Sequence, residues 1–314
     1  MPETLKETTA TDTAKAPEPV SATPKVGKPR SLWSDAWHDL RRSPLFVVSA
    51  VLIFLLLVMA VFPGLFTGAD PRYADLANHY LQKPKWGNVF QEDWFGYDVQ
   101  GRSIYARVVY GARASIMVAV IVTGLVTVLG AVVGMLAGYF GGWIDTILSR
   151  VTDIFFGVPF ILGAMVILTS FEERHVWVVI LALAFLGWTQ IARVARGSVL
   201  TIKQADYVMA AKALGASTSR ILLRHILPNA MAPVIVVATI ALGGYISAEA
   251  SLSFLGIGLA EPTVSWGVDI SSGQEQLRNA PFVLIIPSVM VSITVLAFIM
   301  LGDAVRNALD PKLR

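Results

Sequence analysis

The sequence predicts an all-α membrane protein with six transmembrane helices. Of its 314 residues, 55% are hydrophobic and 15% are charged, and the mean hydropathy is +0.63. About a quarter of the residues in a soluble domain are charged, whereas a membrane-spanning helix needs about 20 largely apolar residues. Six windows meet that need and contain no Asp, Glu, Lys, Arg or His: 45–69, 114–144, 154–171, 176–192, 226–248 and 279–302.

Two other interpretations of these windows fit less well. Buried helices of soluble proteins are usually shorter, and six in one chain would be unusual. A cleaved signal peptide is not expected, because the first apolar stretch begins only at Leu45, behind a long polar segment. That stretch is also longer than the apolar region of a signal peptide, so we predict that it remains as an anchor.

Two elements are predicted before the first span. Residues 1–30 are rich in Thr, Ala, Pro and Lys and contain no aromatic residue, so we predict a disordered cytoplasmic tail. The following stretch, SLWSDAWHDLRRSP, has apolar residues at helical spacing: Leu32, Trp33, Ala36, Trp37 and Leu40. This spacing predicts an amphipathic helix that lies on the membrane surface.

The distribution of basic residues predicts the orientation of the chain, because cytoplasmic loops are enriched in Lys and Arg. The loop 193–229 has six basic residues and one acid, Asp206, so we predict that this loop and both termini are cytoplasmic. The segment 70–113, predicted to lie outside, departs from the rule with six basic and five acidic residues.

The second window is too long for one span and contains glycines at four-residue spacing: Gly130, Gly134 and Gly138. Small residues on one face allow close helix packing in membranes, and packing is the interpretation we favour. Gly141 and Gly142 are expected to end the helix in a tight turn. The second span is therefore predicted over Ser115–Tyr139.

Glu249 lies within the fifth hydrophobic region and is a possible intramembrane polar site. A carboxylate at membrane depth is expected to face protein or a water-filled cavity. It could bind substrate, relay protons or hold a neighbouring helix by hydrogen bonds. We favour the structural role, because the local sequence shows no charged partner.

Several classes of function lack their sequence signature. The chain has no phosphate-binding loop, no H-E-x-x-H zinc motif and no G-x-S-x-G motif, and its four histidines are scattered. It has no cysteine. A secondary transporter would need intramembrane ionisable sites or an inverted repeat, and a membrane enzyme would need a clustered nucleophile, base or metal set. If the protein transports a solute, the energy is expected to come from elsewhere.

The segment 206–229 interrupts the hydrophobic windows with a predicted pair of short helices. The first, 206–214, has its surface kept small by alanines, and Gly215 can adopt the left-handed conformation that ends a helix. Ser217 is expected to cap the second helix, which Pro228 would end. Its predicted apolar face consists of Leu222, Leu223, Ile226 and Leu227. Such a hairpin is suited to insertion into a groove of another protein.

This segment resembles the coupling motif of importer-type ABC permeases. The family pattern is Glu-Ala-Ala, three residues, Gly, nine residues, Ile, any residue, Leu-Pro. The matching positions are Ala210, Ala211, Gly215, Leu227 and Pro228, while Met209 replaces the family Glu and His225 the family Ile. Together with Asp206, these residues are the expected contact with the ATPase.

Three further segments resemble the C-type permease of dipeptide, oligopeptide and nickel importers: 93–116, 138–160 and 248–267. The resemblance covers about residues 31–314. It implies the type I ABC importer permease fold in a bacterial inner membrane, with a type-1 permease domain over 113–303. Residues 31–112 would then hold the amphipathic helix, the first span and an extracytoplasmic segment, and 304–314 a cytoplasmic tail.

The resemblance also implies the partners. These are a B-type permease subunit, two ATP-binding subunits, an extracytoplasmic substrate-binding protein and the lipid bilayer, with no nucleic acid. ATP and Mg would be bound by the partner subunits, so this chain would be no enzyme and would have no cofactor, metal or catalytic residue of its own. Peptides are the expected substrates, and nickel or another small solute is the alternative.

Overall fold

The computed structural model describes residues 37–38 and 40–309, and the regular elements in that part of the chain are helices. In chain order they are α1 (Pro44–Val61), α2 (Leu76–His79), α3 (Ile104–Phe140), α4 (Gly142–Phe156), α5 (Phe160–Thr169), α6 (Val176–Ile202), α7 (Asp206–Ala213), α8 (Thr218–Arg220), α9 (Leu227–Phe254), α10 (Trp266–Gly273) and α11 (Phe282–Leu309). Five of the described helices are long and apolar enough to cross a membrane, and the pair α4–α5 supplies a sixth span if it crosses once.

The third span is broken. α4 and α5 are bent by 81° relative to each other, so the window 154–171, predicted as a span, is not one continuous helix. The ten residues of α5 extend about 15 Å, roughly half of the hydrocarbon thickness. Pro159 explains the break, because its ring disfavours helical backbone at Val158 and it has no N–H to donate.

The helix that contains the second span, α3, begins at Ile104, before the predicted start of the span at Ser115. Ser103 caps this longer helix by accepting a hydrogen bond from the Ala106 amide at 3.2 Å. At the other end, Gly141 and Gly142 have φ angles of 67° and 56°. The predicted glycine turn is therefore confirmed.

α3 packs along α6, and this contact is the most extensive between any two described helices. The glycines of the second window lie in it. A Cβ at Gly130 would lie 2.7 Å from the Trp188 carbonyl oxygen, and one at Gly138 would lie 3.0 Å from the Arg196 carbonyl oxygen. The packing interpretation of this glycine stripe is confirmed, because a larger residue would force the helices apart.

The chain before α1 contacts the end of α11. Leu40 is 9% exposed and packs against Ala304 and Ala308, while Arg41 lies over the Trp37 ring at 4.6 Å. The predicted tail 1–30, residues Leu32, Trp33 and Ala36, and residues 310–314 lie outside the described residues. Location on the membrane surface stays a prediction.

Candidate functional site

The segment 206–229 forms the predicted tight turn between two helical pieces. Gly215 has a φ of 78°, the left-handed conformation that glycine adopts without a Cβ penalty. The Ala216 amide donates to the Ala211 carbonyl at 3.1 Å. Ser217 Oγ accepts from the Arg220 amide at 3.4 Å. The helix-ending and helix-capping bonds therefore follow the sequence prediction.

Pro228 does not end the second helix, so that prediction is wrong. α8 continues through a π-helical turn, Ile221–Ile226, directly into α9, and Pro228 lies in the first turn of α9. The π-helical turn lies directly before this proline, whose ring would clash with a carbonyl of the preceding turn in an undistorted α-helix. The segment is thus continuous with the fifth span, as one helical stretch over Thr218–Phe254.

The buried face of this segment also differs from the predicted one. Ile221 and Ile226 are at most 2% exposed and pack with Val208 of α7 and Val199 of α6. Leu223, predicted on the apolar face, is 63% exposed. The π-helical turn explains the difference, because its extra residue shifts the following side chains out of the 3.6-residue periodicity.

Besides the predicted alanines, α7 and the turn at Gly215 expose large apolar side chains. Leu214 is 89% exposed, Met209 53% and Tyr207 47%. Four of the other predicted coupling residues are exposed: Asp206, Ala210, Gly215 and Pro228. The remaining two, Ala211 and Leu227, are partly buried. We call residues 206–215 the coupling surface. Exposed large apolar side chains next to polar ones are typical of interaction sites.

Basic residues of the 193–203 stretch, which precedes this surface in the chain, are held in fixed contacts. Arg196 donates to both carboxylate oxygens of Asp145 at 2.6 and 2.7 Å. Arg193 donates to Asp153 at 2.8 Å. Lys203 donates to the Tyr139 carbonyl oxygen, near the end of α3, at 2.8 Å. These contacts tie α4 and the end of α3 to α6, the helix that leads into the coupling surface.

Glu249 is fully buried and has three hydrogen-bond partners. Its Oε1 accepts from Ser253 and Ser265 at 3.0 and 3.2 Å, and its Oε2 accepts from Ser115 at 3.2 Å. Each serine oxygen in turn accepts a backbone amide of the 255–268 segment, from Leu259, Val268 and Trp266 respectively. The carboxylate thus orients three hydroxyls that hold the segment after α9 against α3 and α9.

Two arginines of the 70–113 segment are buried in ion pairs. Arg102 donates to Asp98 at 2.7 Å and to Glu261 at 2.5 Å, while Arg107 donates to Asp269 at 2.7 Å. Burial would lower the pKa of the Arg102 guanidinium, but Asp98 and Glu261 outweigh it and the pKa is raised. The Arg102–Asp98 contact is local, at a separation of four positions. No local sequence pattern indicates the Arg107–Asp269 contact, since these two residues are 162 positions apart.

Arg113 acts differently, because it donates to the carbonyl oxygens of Ala60 and Val61 at 3.1 and 3.2 Å. A cation at the end of a helix satisfies carbonyls that lack intrahelical partners.

Within residues 37–38 and 40–309, no group of three or more His, Cys, Asp or Glu could hold a metal ion.

Two protein-family models match the chain. "N-terminal TM domain of oligopeptide transport permease C" matches residues 31–84, and "Binding-protein-dependent transport system inner membrane component" matches residues 130–314. The second match covers more than half of the chain. The chain belongs to this inner-membrane permease family. The matched residues include the coupling surface, Glu249 and the third to sixth spans.

Curated relatives of this permease align over most of its length. The oligopeptide transport system permease protein OppC of Bacillus subtilis is 37% identical over 91% of this chain and 92% of its own. The dipeptide transport system permease protein DppC of Alkalihalophilus pseudofirmus is 35% identical over 95% and 96%. The glutathione transport system permease protein GsiD of Shigella flexneri is 37% identical over 92% and 94%.

A solved structure has the same fold. An inward-facing methionine ABC transporter, MetNI, superposes on this permease with a TM-score of 0.51 and 20% identity, over 64% of this chain and 96% of that one. The predicted fold class, an all-α ABC permease with several membrane spans, is confirmed.

Proposed function

We propose that this permease takes up di- or oligopeptides as one half of a translocation pathway. The names of these relatives refer to oligopeptide, dipeptide and glutathione transport, and each relative aligns over more than 90% of both chains. These names favour peptides over the nickel alternative. A B-type permease subunit would supply the other half of the pathway, and an extracytoplasmic binding protein would deliver the peptide.

The coupling surface supports the second part of the proposal, that two ATP-binding subunits supply the energy for transport. Gly215 holds the turn in the left-handed conformation, and Leu214, Met209 and Tyr207 are largely uncovered at that turn and on α7. A buried interface needs such apolar anchors. Insertion of this surface into a groove of one ATPase would transmit closure of the ATPase pair to α6 and α9, which flank it in the chain.

The orientation is part of the same proposal. The loop 193–229, which includes the coupling surface, and both termini would face the cytoplasm, and the 70–113 segment would face outward. The six basic residues of 193–229, against the single acid Asp206, support this orientation.

The test is transport by the whole complex in liposomes. We expect uptake of radiolabelled trialanine only with the binding protein outside and ATP inside, and we expect no ATP hydrolysis by this permease alone. Uptake that proceeds without the ATPase subunits would contradict the proposal and favour a secondary transporter. Lack of trialanine uptake by an ATP-hydrolysing complex would refute the peptide assignment.

A further inference from the structure

A cavity of about 560 Å³ opens between the broken span, α6 and α9. Its walls come from the break between α4 and α5, from the middle of α6 and from the second half of α9. Polar lining residues include Thr189, Gln190, Tyr245, Ser247 and Ser251, and aromatic ones include Phe155, Phe156 and Phe160. A volume of this order holds a small peptide or part of a longer one.

Three polar side chains in this cavity have no hydrogen-bond partner among the described residues. They are Thr189, Gln190 and Ser247, whereas Tyr245 donates to the Gly187 carbonyl and Ser251 to the Ser247 carbonyl. Thr189 is 5% exposed as a residue, and its hydroxyl oxygen keeps some accessible surface. Gln190 and Ser247 are exposed on the cavity side.

These groups lie on helices that cross the hydrocarbon region, where lipid cannot satisfy them. Gln190 is about halfway along α6. α6 also contributes to a second groove, of about 520 Å³, which is lined by Leu125, Leu181 and Phe185 and contains only apolar side chains. The apolar groove suits lipid, while the cavity with unpartnered amide and hydroxyl groups requires a polar occupant.

The cavity offers uncharged polar contacts to its occupant. No lining side chain is acidic or basic, and no histidine is present. The Gln190 carboxamide can donate and accept, as can the two hydroxyls, and this combination matches the N–H and C=O groups of a peptide main chain. The aromatic walls can pack against side chains without selecting for charge.

We propose that Thr189, Gln190 and Ser247 form a peptide-contacting site that binds the main chain of the transported peptide during passage. This proposal rests on the proposed peptide transport function. Because these contacts would be to main-chain groups, the site would accept peptides of different side-chain charge. Selection by side chain would then occur elsewhere in the complex.

Uptake by variant complexes tests the site. Gln190→Leu and Thr189→Val remove hydrogen-bonding groups while nearly preserving side-chain size. Loss of one or two hydrogen bonds predicts about a tenfold slower trialanine uptake by each variant. ATP hydrolysis stimulated by the loaded binding protein should change by less than about twofold, because the coupling surface is intact. The matched control is Thr127→Val, which removes a buried unpartnered hydroxyl on α3 that does not line the cavity, and it should transport normally.

A labelling experiment tests occupancy directly, since the chain has no native cysteine. Ser247→Cys should react with N-ethylmaleimide, which needs a hydrated thiolate, and trialanine should slow that reaction in the assembled complex. Leu181→Cys, in the apolar groove, should stay unlabelled.

The outcomes are distinct. Normal trialanine uptake by both Gln190→Leu and Thr189→Val would refute the peptide-contacting site. The proposed function would stand in that case, because uptake by the wild-type complex would still show peptide transport. Loss of co-purification with the partner permease in these variants would also refute the peptide-contacting site and assign the cavity to the subunit interface. Absence of trialanine uptake by the wild-type complex would refute the proposed function itself.

Discussion

Ser115 of α3 donates a hydrogen bond to Glu249 of α9 at 3.2 Å, across 134 positions of sequence. With Ser253 and Ser265, the same carboxylate accepts three hydroxyl protons. A carboxylate suits this position because it only accepts, and each serine oxygen stays free to accept a backbone amide.

The first prediction follows from this network. Glu249→Gln replaces one acceptor oxygen by a donor and should weaken one serine contact, so most transport should remain. Glu249→Ala leaves three buried hydroxyls without their acceptor and should cost about 3 kcal/mol or more. The measurement is the thermal unfolding midpoint in detergent, together with trialanine uptake per assembled complex. Equal stability of both variants and wild type, with uptake abolished in both, would instead indicate that Glu249 handles substrate or protons.

The second prediction concerns the buried Arg107–Asp269 pair. Arg107→Met leaves the Asp269 carboxylate buried without its cation and should destabilise the protein by about 3–5 kcal/mol. The double variant Arg107→Met/Asp269→Leu should recover much of that loss, since an apolar pair replaces the two charges. Lys85→Met, which breaks the more exposed Lys85–Asp93 pair, is the control and should change the unfolding midpoint little. A double variant no more stable than Arg107→Met would contradict this account.

The third prediction concerns the turn at Gly215. Valine at a φ of 78° should cost about 1–2 kcal/mol or open the turn. The spans do not depend on that turn, so Gly215→Val should insert and assemble, but ATP hydrolysis should no longer drive uptake. Ala210→Trp should act alike, because a large ring is added to the exposed coupling surface. Gly87→Val, at an open position without positive φ, is the control. Full ATP-driven uptake by both coupling variants would mean that the surface is an ordinary loop.

The fourth prediction concerns orientation, and the absence of native cysteine allows single-cysteine labelling. Lys83 and Thr218 are both exposed. A membrane-impermeant maleimide added to intact cells should label Lys83→Cys and spare Thr218→Cys. Both should be labelled after the membrane is permeabilised. The reverse pattern in intact cells would invert the proposed topology.

Much of the local structure follows from the sequence by itself. Long stretches without charge determine that the chain crosses a membrane, because a backbone in lipid must satisfy its own hydrogen bonds as helix. The left-handed turn at Gly215 and the cap at Ser217 are equally local, since each depends on the conformational or hydrogen-bonding property of one residue. The glycine stripe of α3 was likewise interpretable from spacing.

The tertiary structure alone decided the features that depend on distant partners. The π-helical turn before Pro228 arises where a local rule permits several outcomes and packing selects one. Ser115 and Glu249, like Arg107 and Asp269, are separated by more than a hundred positions, so no local pattern indicates these two contacts. The cavity around Gln190 exists only because three spans converge. Periodicity and residue type determine structure over a few neighbouring residues. The role of a buried charge or an unpartnered amide depends instead on which groups the folded chain brings within about 3 Å of it.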